Sequence, residues 1–209
     1  MNCAESSTPT LGINKSKYSN SFRLARSTRT RVQQLLSKYK EQMLGDKDFE
    51  DRSSYLKDLP ILSTDFNIWL QLSTGSLLFI QDWERLHAAF SDMQVYKSKL
   101  ELKRKELEME EKEKTVNNIL TQSIKHIELD LRDLMSQVSS QVRCVSKMTC
   151  IKSSERQANF PTIRTPLNQS TTSKTLWEKR LEGYIILRDL DLYLTKLARD
   201  FILLGSKTK

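Results

Sequence analysis

The chain is expected to fold as an all-α, up-up-down-down long-chain four-helix bundle with two long crossover loops, and three observations predict it. Apolar residues recur every three or four positions in four separate tracts, the period of one helix face. Five glycines and four prolines in 209 residues favour a few long elements over many short ones. The connections between the tracts run long, short, long. Only the middle pair can then be joined tightly and antiparallel, while two crossovers let the first and second helices run parallel, and likewise the third and fourth. No strand pattern or internal repeat competes.

Residues 1–19 are polar and expected to form a disordered tail ahead of a single domain over 20–205. The first helix is placed at about 20–44, capped by Ser19, Asn20 or Ser21. Ala25, Thr28, Val32, Leu35, Leu36, Tyr39 and Met43 line its inner face, and Gly45 stops it. Arg23, Arg26, Arg29 and Arg31 lie mostly away from that face, either as a solvated surface or as a docking one. The connection over 46–64, rich in Asp and Lys and containing Pro60, is long enough to run back the height of a bundle.

The second helix is placed at about 65–107, with an irregularity at Ser73-Thr74-Gly75. Its apolar row is Phe79, Trp83, Leu86, Phe90, Met93, Leu100 and Leu107. Charges alternate in sign from Glu101 to Lys114, where a helix end and a short turn are expected. Val116, Leu120, Ile124, Ile127, Leu131, Leu134, Val138 and Val142 mark a third helix at about 115–143. From Cys144 to Lys174 the chain holds two prolines and many Ser and Thr, the second long connection. The last helix, at about 176–204, opens with a capping box, Thr175 as N-cap and Glu178 three residues on, and Gly205 ends it before a tail over 206–209. Its stripe is Leu187, Leu190, Leu194, Leu197, Phe201 and Leu204.

Composition narrows the function. Hydrophobic content of 38% describes a globular protein, and no run of eighteen apolar residues is available to span a membrane. The net charge is +8, and residues 6–40 carry eight Lys or Arg and no acid. No zinc-finger spacing, ribonucleoprotein motif or basic zipper accompanies that charge, so nucleic acid ranks behind an acidic receptor or anionic glycans as its partner. Three cysteines are too few for a disulfide framework; Cys144 and Cys150 could bridge, with free thiols the expected state. The first residues lack the pattern of a signal peptide, which implies either an intracellular protein or cytoplasmic storage with unconventional release.

No active site is legible. His87 and His126 each sit inside a helical pattern without a partner at ligand spacing, and no phosphate-cradling loop, nucleophile elbow or paired-acid motif is present. The chain is therefore read as a non-enzyme without metal or cofactor, acting through its helix faces. At about 100° per residue Trp177 falls about 140° from the apolar stripe, with Arg180 one turn on and on the same side. Exposed Trp and Arg are the residue types that make binding hot spots. The alternative is a Trp177 packed as a staple under the second long connection; Glu178 is read as a cap rather than a contact in either case.

The segment Leu176-Trp177-Glu178-Lys179-Arg180-Leu181-Glu182-Gly183-Tyr184 resembles the start of the fourth helix in the ciliary neurotrophic factor-like branch of the interleukin-6 family of long-chain four-helix cytokines. That family carries Phe-x-x-Lys there, and Trp177 and Arg180 keep the aromatic bulk and the positive charge. Leu24-Ala25-Arg26 through Lys38-Tyr39-Lys40 to Leu44-Gly45 is similar to the family's first helix, and Ser63-Thr64-Asp65 onward to its second. The resemblance implies that Trp177, Lys179 and Arg180 meet a receptor of the leukaemia inhibitory factor receptor type. It implies that Lys196, Arg199 and Asp200 meet a non-signalling alpha receptor, although Tyr193 and Lys196 stand where relatives carry Trp and Arg. The outer faces of the first and third helices would meet glycoprotein 130. A monomer that brings receptor chains together and activates Janus kinase/STAT signalling is the implied function. An intracellular helical adaptor or coiled-coil protein is the alternative, and a basic nucleic-acid-binding bundle ranks third.

Overall fold

The computed structural model describes residues 10–60, 78–114, 119–150 and 174–206. These are four long helices and the connection after the first; among the described residues there is no strand. Helix α1 spans Thr10–Tyr39 and passes into a five-residue π-helical turn, Lys40–Leu44. Helix α2 spans Leu78–Lys114, α3 Ile119–Cys150 and α4 Leu176–Ser206.

Several boundaries move from where the sequence puts them. Helix α1 starts at Thr10, so Ser19, Asn20 and Ser21 lie inside it and none caps its start. Ser21 is instead buried against α3, donating to Gln137 at 2.6 Å and accepting from Gln141 at 2.8 Å. Gly45 does end the first helix, at φ 75°, a left-handed conformation that glycine adopts without cost. Helix α2 runs through the charged stretch to Lys114. Its alternating signs are helix-stabilising neighbours one turn apart: Lys97 with Glu101, Lys103 with Glu106, Arg104 with Glu108. The expected start at 65, the irregularity at 73–75 and Val116 lie outside the described residues. Helix α3 continues to Cys150, which puts Cys144 and Cys150 on one helix. Six residues of helical rise separate their Cα atoms by about 9 Å, beyond the reach of a disulfide. Gly205 lies within α4, not at a left-handed stop.

The apolar rows become the core. Every member of the α4 stripe is buried, as are Leu120, Ile124, Ile127, Leu131, Leu134, Val138 and Val142 of α3. Helix α1 contributes Ala25, Val32, Leu35 and Tyr39, and α2 contributes Leu86, Met93, Leu100 and Leu107, with Trp83 and Phe90 only half-buried. Helix α1 packs on α4 and α3, and α2 packs on α3 and α4. Arg29 of α1 pairs with Asp191 of α4 at 2.9 Å, and Arg31 with Asp130 of α3 at 2.6 Å. Two of the four arginines read as solvated or docking thus tie helices together.

Candidate docking surface at the head of the fourth helix

The first turns of α4 are built by local chemistry that the sequence announces. The Thr175 N–H donates to the Glu178 carboxylate at 2.7 Å and the Glu178 N–H to the Thr175 hydroxyl at 3.2 Å, a closed capping box. The donated N–H holds the Glu178 carboxyl below its ordinary range. Glu178 is therefore a cap, as expected.

Two other helices grip the backbone just beyond the cap. Tyr39 donates its hydroxyl to the Arg180 carbonyl at 3.0 Å, and Lys103, 6% exposed, donates to the Lys179 carbonyl at 2.6 Å and to Glu106 at 2.7 Å. Both side chains reach the α4 backbone because residue 183 is glycine. A Cβ there would overlap the Tyr39 hydroxyl and lie 2.7 Å from Lys103 Cε. Burial of the Tyr39 phenol pushes its pKa well above the ordinary tyrosine range, so it stays a hydroxyl donor.

The connection after α1 covers the next part of α4. Arg188 donates to the Asp51 carbonyl at 2.5 Å and to the Ser54 carbonyl at 2.9 Å, and the Asp51 N–H donates to the Tyr184 hydroxyl at 3.2 Å. Hydrogen bonds from Ser54 and Ser53 hold the Asp51 carboxyl far below its ordinary range and fix the turn. Phe49 meets Tyr184 edge-on at 5.0 Å and Trp177 edge-on at 6.1 Å.

The alternative that Trp177 packs under the second connection falls on residues 151–173, outside the described residues, but Trp177 does not stand alone. It leans on Phe49 of the first connection and remains 50% exposed, beside an equally exposed Leu176. Lys179 is exposed, and Arg180 is half-buried, with its Nε enclosed and lacking a hydrogen-bond partner. Ser54, Tyr55 and Leu56 of the connection and Leu181 and Ile185 of α4 flank a groove of about 430 Å³, with Tyr55 72% exposed. Phe49 and Tyr55 carry no periodic signal in the sequence, and only the fold brings them here.

The second expected patch comes apart. Arg199 is exposed and Lys196 half-buried, its ammonium 6.0 Å from the centre of the Tyr193 ring. Asp200 is 4% exposed and points into the bundle, so it is not available to a partner. Burial lifts its pKa to about 6, opposed by Lys196 and Arg85. Tyr193 is also buried, donating to the Ala89 carbonyl of α2 at 3.1 Å.

His87 stacks on Trp83 at 5.1 Å, and His126 contacts Gln122 at 3.1 Å. Among the described residues no three His, Cys, Asp or Glu side chains converge as metal ligands, and no helix is long and apolar enough to cross a membrane. In comparisons with known proteins, no family model, curated protein or solved structure matches the chain.

Proposed function

We propose that this protein is a helical cytokine that clusters class I cytokine receptors and so triggers Janus kinase/STAT signalling, doing no chemistry itself. The observation that carries the reading is Trp177: a tryptophan half in solvent, propped by Phe49, on a helix start anchored from α1 and α2. A large aromatic held rigid and exposed loses little conformational freedom when a partner covers it, which is what a hot spot requires. Lys179 and Arg180 supply positive charge beside it. The partner at this end is a receptor of the leukaemia inhibitory factor receptor type, with glycoprotein 130 on the outer faces of α1 and α3.

The bundle is proposed to be up-up-down-down with two crossovers. The pairing of α1 with α4 and α3, and of α2 with α3 and α4, supports it. So do contacts such as Tyr39 with Arg180 and Arg104 with Glu128, which join the end of one helix to the start of another. A non-signalling alpha receptor would use Lys196 and Arg199 without Asp200.

The test is surface-based binding of the protein to the ectodomains of both receptors, beside the double variant Trp177→Ala/Arg180→Ala. The expected result is binding to the second receptor that the double variant loses while its helical signal is intact. Failure to bind either receptor, with candidate alpha receptors also supplied, overturns the proposal in favour of an intracellular adaptor.

A further inference from the structure

Charge is divided unequally between the two ends of the bundle. Tyr18, near the start of α1, is 7% exposed and marks one end: a Cβ on Gly205 of α4 would sit 3.6 Å from its own, and Asp82 of α2 and Cys144 of α3 lie within electrostatic reach of its phenol. The helix segments that share this end, 10–27, 78–90, 138–150 and 195–206, hold nine Lys or Arg against three Asp or Glu. The segments toward the other end, 28–44, 100–114, 119–131 and 174–187, hold thirteen against eleven. Of the three acids at the Tyr18 end, Asp200 is buried and Asp82 lies 3.9 Å from Arg85. Exposed arginines there come from three helices: Arg23 and Arg26 of α1, Arg143 of α3 and Arg199 of α4. Arg29 and Arg31 are neutralised by Asp191 and Asp130, whereas Arg23 bonds only the neutral Asn20, at 2.6 Å, and Arg26 lies over the Phe22 ring at 5.6 Å.

We propose that this end binds a sulphated polysaccharide. Guanidinium groups present a planar fork to sulphate oxygens, and several of them across neighbouring helices match a chain of repeated anions better than one ligand. A protein partner would need an apolar centre, and among residues 18–27, 82–90, 138–145 and 195–206 Ile202 is the one exposed large apolar side chain. A nucleic acid would want aromatic stacking, but among those same residues no aromatic is exposed, and the exposed Tyr55 and Trp177 belong to the opposite end. That separation leaves Trp177 clear while the polymer is bound.

The experiment is chromatography and titration calorimetry on heparin across a salt series, with three proteins whose helical signal is checked. These are the native chain, Arg23→Glu/Arg26→Glu, and Lys38→Glu/Lys47→Glu as a control of equal charge change at the other end. The expected result is a native protein retained beyond about 0.15 M salt. The arginine variant should weaken by about tenfold or more and the control by less than about twofold. Equal losses in both variants, or elution of the native chain below that salt, overturn the proposal. Duplex DNA binding as tightly as heparin also overturns it, replacing the polysaccharide with nucleic acid.

Discussion

Tyr39 of α1 donates its hydroxyl to the Arg180 carbonyl of α4 at 3.0 Å, and it reaches that oxygen across the face of Gly183. The head of α4 is thus set by a ring from another element, resting on backbone that lacks a side chain. Replacing Gly183 with Ala should cost about 1–3 kcal/mol by overpacking, although alanine is intrinsically the better helix former by about 1 kcal/mol. Adding Tyr39→Phe removes the nearest atom and should recover part of the loss. Urea denaturation of the four proteins of that cycle measures it, and no recovery would mean that the contact is not the cause.

Asp200 should make the bundle less stable at neutral pH than in mild acid. Its folded pKa of about 6 exceeds the ordinary 3.8, so the folded state holds the proton more tightly. The stability from that proton is complete below about pH 4 and is lost as pH rises through 6, by about 3 kcal/mol in all. Asp92 is raised in the same direction by burial and adds to the slope. Asp200→Asn should therefore raise the melting temperature at pH 7.5 and flatten the profile between pH 4 and 7. A variant less stable than the native chain at pH 7.5 would contradict this.

Arg188 is the clasp between α4 and the connection that carries Phe49. Arg188→Met keeps much of the bulk and removes donors to the Asp51 and Ser54 carbonyls, at a cost of about 1.5–3 kcal/mol. Limited proteolysis should then cut within residues 46–58 while α1 and α4 stay protected. Unchanged cleavage would show that Phe49 and Leu59 alone suffice to hold the segment.

Trp177→Ala should separate docking from folding. Half of the side chain is already in solvent, so its removal should lower stability by only about 1 kcal/mol, less than the cost of a core tryptophan. Loss of a hot spot would weaken receptor binding by about thirtyfold or more. Equal losses in both would identify a packing residue.

Much of the fold was legible because its determinants are local. The capping box at Thr175 and Glu178, the stop at Gly45 and the stripe from Leu187 to Leu204 are each written within a few residues, and the structure realises all three. The end of α2 was misplaced because alternating charges from Glu101 to Lys114 resemble a solvated turn, whereas at helical spacing they are ion pairs. Asp200 was misassigned for a different reason. A carboxylate on an amphipathic helix reads as surface unless its neighbours in the fold are known, and here it is buried within electrostatic reach of Arg85 of α2. Trp177 could be found from its angle off the stripe, but Phe49 could not, because it lies 128 positions away in the chain and only the fold brings the two rings together.

The π-helical turn at Lys40–Leu44 gives this arrangement a phase. A turn closed by i→i+5 bonds holds one residue more than an α-helical turn, so it delays Gly45 and everything after it by a fraction of a rotation. The extra residue is absorbed within that one turn, so deleting it would leave the exit direction nearly unchanged, whereas inserting a further residue in α-helical geometry would swing the exit by about 100°. Phe49 would then leave from the wrong side of α1, and Trp177 would lose its support without any residue of α4 being touched. The phase of the chain between two fixed points, rather than the identity of any contact residue, is what this surface can least tolerate changing.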